Sequence, residues 1–173
     1  YSKDKPIVNP TIRQTFLNLL ENPGFEDAVL FGDIPKWSCK GTDWETDIIY
    51  FLEGQKCVKT YQLNSPISQE VVFPEGQEAT VLWAVMGDNA RADSVELNIE
   101  WLDATGTVLD TFSDVRSTTK EWQTFWGNLP ASPLGTKKAR VSIKKIAGVA
   151  EDSDYVYVDT IMLRLGTSER QPE

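Results

Sequence analysis

Residues 94–103, SVELNIEWLD, alternate without a break: Val95, Leu97, Ile99 and Trp101 share one face, and Glu96, Asn98 and Glu100 take the other. A period of two describes a half-buried β-strand and is incompatible with an amphipathic helix. The same grammar recurs along the chain. VVFPEGQEATVLWAVMG (71–87) reads as strand, Pro-Glu-Gly turn, strand, and KARVSIKKI (138–146) sets Ala139, Val141 and Ile143 against Arg140, Ser142 and Lys144. Asp103-Ala-Thr-Gly106 is a hairpin signal before TVLDTF, EWQTFWGNL (121–129) is stopped by Pro130, and YVYVDTIMLRL (155–165) is the last strand. Helix signals are confined to Thr15–Leu20, where Asn22-Pro23-Gly24 would end a helix almost at once. About eight to ten short strands at this spacing predict an all-β sandwich of two antiparallel sheets, a jelly roll, over residues 18–166. Residues 1–17 read as an N-terminal arm that offers a surface to a protein partner, and 167–173 as a tail.

Composition narrows the function. With 17 Lys plus Arg against 26 Asp plus Glu, the net charge of −9 repels phosphate backbones, so nucleic acid is not an expected partner. No apolar run approaches the roughly 18 residues that a membrane span needs, so no membrane insertion is expected. The absence of histidine removes Ser-His-Asp and Cys-His catalysis and histidine-containing zinc sites. No pair of carboxylates is singled out by its context as acid and nucleophile, so the chain is expected not to be an enzyme. It starts at Tyr1, which reads as a piece cut from something longer. Cys39 and Cys57, the two cysteines, would close a loop of about 18 residues worth roughly 3 kcal/mol as a disulfide; two separate buried thiols are the alternative.

NLLENPGFED (18–27), with Trp37 ten residues on, resembles the opening of a carbohydrate-binding module of the family 4, 9, 16 and 22 type. GQKCVKTYQL (54–63), ISQEVVFPEGQEATVLWAVMG (67–87) and DYVYVDTIML (154–163) are similar to later segments of that family, in the same order. The resemblance implies a galactose-binding-like jelly roll, a secreted or surface-displayed setting (extracellular or virion), and a polysaccharide or surface glycan as partner. An architectural or adhesion domain of a virion appendage, capsid decoration or cell-surface assembly is the alternative that shares this fold. The resemblance further implies a structural calcium between the first and last strands, held by Glu26 and Asp159 with the Gly24 carbonyl. Asp159 falls in the two-residue register of Ile161 and Leu163, so its carboxylate would need a metal or amide partner in the core.

Sugar rings pack their C–H faces on aromatic planes, while amide, carboxylate and guanidinium groups bond the hydroxyls. Alternation sends Trp83 (with Val81 and Val85) and Trp101 to the core, and family likeness sends Trp37 there. Trp44, in the polar run CKGTDWETD, Tyr50, Trp122 and Trp126 are left, and of these Trp44, Tyr50 and Trp126, whose neighbour Phe125 faces the other way, are the expected ligand contacts. Asn98, Glu100 and Arg140 are the expected polar contacts. The family's outward aromatic is missing from VLWAVMG, where Leu82, Ala84 and Met86 lie opposite Trp83.

Overall fold

The computed structural model describes residues 18–30, 32–88 and 93–172. The expected arm, residues 1–17, lies outside them, and with it the protein partner assigned to that arm and the start of the Thr15–Leu20 helix. The described chain contains nine strands and no helix: β1 (Glu45–Asp47), β2 (Cys57–Thr60), β3 (Ile67–Val72), β4 (Ala79–Gly87), β5 (Ser94–Leu102), β6 (Val108–Ser117), β7 (Gln123–Leu129), β8 (Lys138–Ala147) and β9 (Val156–Leu165). They form two antiparallel sheets, one ordered β1-β2-β9-β4-β7 and the other β3-β8-β5-β6. This is a jelly-roll β-sandwich, as the strand grammar predicts.

Alternation places the core. Val95, Leu97, Ile99 and Trp101 of β5 and Ala139, Val141 and Ile143 of β8 face Val81, Trp83 and Val85 of β4 and Val158, Ile161 and Leu163 of β9. Phe73 stacks on Trp101 with ring centroids 4.7 Å apart, and Trp83 on Phe125 at 5.8 Å. Each such buried side chain contributes about 1.5–3 kcal/mol of transfer free energy. The hairpin between β5 and β6 is closed by Asp103, whose Oδ1 accepts the Thr105 and Thr107 amides while Gly106 takes φ +86°.

The opening segment is stitched to the last strand. The Leu19 amide donates to the Leu163 carbonyl at 2.8 Å, and the Asn18 side chain donates to the Ile161 carbonyl and accepts from the Leu163 amide. Trp37 is buried, stacked on Phe25, with its indole N–H on the Asn22 carbonyl.

β9 is bulged, and the bulge corrects the expected direction of Asp159. Leu82 of β4 is opposite Met162, yet Ala84 is opposite Asp159, so two steps along β4 match three along β9. Thr160 absorbs the extra residue at φ +51°. Ile161 and Leu163 therefore point into the core, while Asp159 points to the other side of the sheet.

The disulfide is also corrected: Cys39 and Cys57 are both free. Cys39 packs against the sandwich core, whereas Cys57 belongs to the apolar cluster on the outer side of the five-stranded sheet. The Cys57 thiol donates to the Tyr50 carbonyl at 2.6 Å. A disulfide needs Cβ atoms about 4 Å apart, and a sheet stands between these two.

Candidate functional site

All nine residues of β4 are buried, those on its outer side included. An antiparallel sheet with a solvated outer face would show polar side chains there. This one shows Leu82, Ala84 and Met86, flanked on β9 by Tyr157 and Met162, on β7 by Thr124 and Trp126, and just before β7 by Trp122. Leu82 pairs across the sheet with both Met162 and Trp126, a continuous apolar row. The aromatic rings that β4 lacks are supplied by its neighbours.

Around this floor stand partly exposed aromatic side chains. Tyr61 meets Tyr155 edge-on at 5.3 Å, and Tyr155 lies 6.2 Å from Tyr157. Tyr50, 47% exposed, stands edge-on over Tyr157 at 5.3 Å. Trp126 stands on the outer side of β7, and Trp122, just before that strand, packs against the cluster of Cys57, Met86 and Tyr157. Polar groups are interleaved. The Tyr157 hydroxyl donates to Asp88 at 2.7 Å and the Tyr155 hydroxyl to Glu45 at 3.0 Å. Lys59 pairs with Asp47 at 3.1 Å and lies 4.5 Å over the Tyr155 ring. Burial, then the acceptors Glu45 and Asp88, raise both phenols above their ordinary range, so they stay protonated as hydrogen-bond donors.

One side of the face is walled by residues 48–52, Ile-Ile-Tyr-Phe-Leu, whose side chains are all exposed, Ile49 most of all. Two buried carboxylates hold this loop. Asp47 Oδ2 accepts the Ile49 and Tyr50 amides at 3.1 and 2.7 Å, and Asp159 Oδ2 accepts those of Leu52 and Glu53 at 2.9 and 3.0 Å. The wall is thus preorganised from the sheet side.

Burial pushes the Asp159 carboxyl up to about 6 from 3.8, against the lowering effect of its amide donors and with a further rise from nearby Glu26. A carboxyl whose folded-state pKa is raised adds stability below its unfolded pKa and loses it as pH rises through the folded value. Asp159 should therefore contribute at most about 3 kcal/mol, present in full only below about pH 3.8 and lost as pH rises through about 6. Melting temperature followed from pH 4 to 7 should show this decline in the native chain and not in Asp159→Asn; parallel curves would refute it.

The remaining expected contacts are distributed differently. Trp126 is on the outer face, because Phe125 fills the core. Tyr50 is at its rim. Trp44 is not a ligand contact: it is 2% exposed and its indole N–H donates to the Ser65 carbonyl at 2.7 Å. Asn98, Glu100 and Arg140 lie on the outer side of the other sheet, away from the aromatic face. Arg140 bridges Glu100 at 3.1 Å and Glu70 at 3.2 Å, so its charge is spent on the fold. Tyr61, Tyr155 and Tyr157 were not expected from the sequence, whereas Trp122 was among the aromatics left unassigned to the core. Adjacent aromatics at alternating positions 155 and 157 were the available signal. A concavity of about 660 Å³ beside β3 carries no aromatic residue in its lining.

The expected calcium ligands also take another role. Glu26 and Asp159 both reach residues 52–56, but they do so as amide acceptors: Glu26 accepts from Gln55 and Lys56 at 2.8 and 3.1 Å, and Asp159 Oδ1 accepts from Thr160. The carbonyls of Glu26 and Ala28 are taken by the Lys56 ammonium at 3.0 and 2.8 Å. Calcium needs six to eight oxygens, and here each Glu26 and Asp159 carboxylate oxygen already accepts an N–H group. Among the described residues no three Asp, Glu or Cys side chains gather to hold a metal.

The fold is a jelly-roll β-sandwich that several solved structures share. Among solved structures the chain is similar to the family 61 module TmCBM61, in complex with β-1,4-galactotriose, at 22% identity and TM-score 0.61, over 86% of this chain and 99% of that one. The Clostridium thermocellum xylanase 10B fragment joining a CBM22 module to GH10, complexed with xylohexaose, matches at 14% identity and TM-score 0.65, over 87% of this chain and 29% of that one. The enzymatically active domain of bacteriophage CBA120 tailspike protein 4 matches at 15% identity and TM-score 0.67; this chain covers 22% of it. These likenesses establish the fold. No protein-family model and no curated protein matches the chain. Among the described residues no helix is long and apolar enough to cross a membrane.

Proposed function

We propose that the chain is a non-catalytic glycan-binding module, secreted or displayed on a surface, and that it holds a polysaccharide along the outer face of the five-stranded sheet. The observation that carries this reading is the apolar floor of Leu82, Ala84 and Met86 bordered by Trp122, Trp126, Tyr155 and Tyr61. A large apolar patch on a sheet face marks an interaction surface. Rings set among fixed carboxylates, an ammonium and phenol hydroxyls match the alternating C–H faces and hydroxyls of a pyranose chain. Structures of the same fold that hold galactotriose and xylohexaose support the ligand class.

Titration with soluble galactan, xylan, β-glucan and mannan, followed by tryptophan fluorescence and calorimetry, tests the reading. At least one polymer should bind. Trp126→Ala and Trp122→Ala should each weaken that binding about tenfold, the loss of one stacked ring, while Glu100→Gln on the opposite sheet should leave it unchanged. If no polymer binds, or if both tryptophan variants bind like the native chain, the aromatic face is not a glycan site.

A further inference from the structure

Lys56 joins two segments that are distant in sequence. Its ammonium donates to the Glu26 carbonyl at 3.0 Å and the Ala28 carbonyl at 2.8 Å, thirty and twenty-eight residues back along the chain. Its own amide, with that of Gln55, is accepted by the Glu26 carboxylate. The contact is reciprocal: each segment gives the other both its backbone and its side chain. Gly54 makes the close approach feasible. It takes φ +69°, and a Cβ there would clash with the Glu26 carboxyl group. On the sheet side Asp159 closes the arrangement by accepting the Leu52 and Glu53 amides.

We propose that the Lys56 ammonium is the resident cation of this junction, carried covalently, and that the module needs no divalent metal to hold residues 22–28 against 52–56. An ammonium suits the position: a compact point charge with three donors on a flexible stem can span two carbonyls, whereas each carboxylate is already satisfied by amides. The inference concerns the scaffold beside the aromatic face and is independent of the glycan reading.

The test is thermal unfolding of the whole chain. In 5 mM calcium chloride (roughly five-thousandfold over a micromolar site) and in 5 mM EDTA, the native chain should melt at one temperature, and calorimetric titration with calcium chloride should give no binding isotherm. Lys56→Met should melt about 5 °C lower, from the loss of two charge-assisted hydrogen bonds, and Lys56→Arg should recover part of that shift. Stabilisation of the native chain by calcium, or a saturable calcium isotherm, overturns the proposal. A Lys56→Met variant that melts like the native chain overturns it too. Should Lys56→Met fail to fold, the calcium and EDTA measurements on the native chain decide alone.

Discussion

Replacing Lys145 with methionine should lower the free energy of unfolding by about 3–5 kcal/mol at pH 7, one of the two largest effects expected of any single substitution here. Lys145 is fully buried at the inward position that follows Ala139, Val141 and Ile143 on β8. Its ammonium donates to the carbonyls of Val149 and Asp154 at 2.6 and 2.7 Å and pairs with Asp154 Oδ2 at 3.2 Å. Burial raises the Asp154 carboxyl, but the hydrogen bonds from Asp93, the Val149 amide and Lys145 outweigh it and hold the group down at about 2. Methionine keeps the volume and removes the charge, leaving a buried carboxylate without its cation. Stability linked to a lowered pKa is present above about pH 4 and lost as pH falls toward 2. The variant should lack the part of that acid-side loss that Lys145 supplies, so the gap between the two proteins should narrow below pH 4. Urea unfolding at pH 7 and at pH 3.5 measures both; a difference under 1 kcal/mol at pH 7 would show that the network is not worth its burial.

Trp44→Ala should cost a similar amount, about 3–5 kcal/mol, as a cavity in the core with a buried carbonyl left unbonded. The indole is 2% exposed and bonds Ser65, while the adjoining Asp43 accepts the Ser65 hydroxyl and its carbonyl accepts that of Thr60. Trp126→Ala, on the outer face, should by contrast remain within about 1 kcal/mol of native stability. Stability and glycan affinity should therefore separate: the first tryptophan is read by denaturation, the second by titration. Equal destabilisation by both would mean that the aromatic face is a second core and not a surface.

Much of the architecture was legible in the residues. The alternation of Val95, Leu97, Ile99 and Trp101 and of Ala139, Val141 and Ile143 is a local consequence of the pleat, so the inward face of β5 and β8 could be read directly. The pair Phe125–Trp126 was equally readable, because adjacent strand residues must take opposite sides. Lys144–Lys145 carried the same information: in a strictly alternating strand one of two adjacent lysines must point inward and find a buried partner. Asp159 was not readable, since a single bulge at Thr160 reverses the side of the sheet and nothing in YVYVDTIMLRL marks where the extra residue falls.

The candidate site divides along the same line. Chain composition and period-2 patterning are local properties, and they determined that this is an all-β sandwich, acidic and without histidine, with Trp83 and Trp101 in its core. Which sheet each strand joins is a long-range property. Only the order β1-β2-β9-β4-β7 brings Trp126, Tyr157, Tyr155 and Tyr61 onto one surface, and only the pairing of β8 with β5 and β3 ties Arg140 to Glu100 and Glu70. Trp44 sits among polar neighbours in sequence and apolar ones in space, because its burial depends on segments twenty residues away. The tertiary structure decided the aromatic face because strands distant in sequence lie about 5 Å apart in the sheet, a neighbourhood that no local pattern encodes.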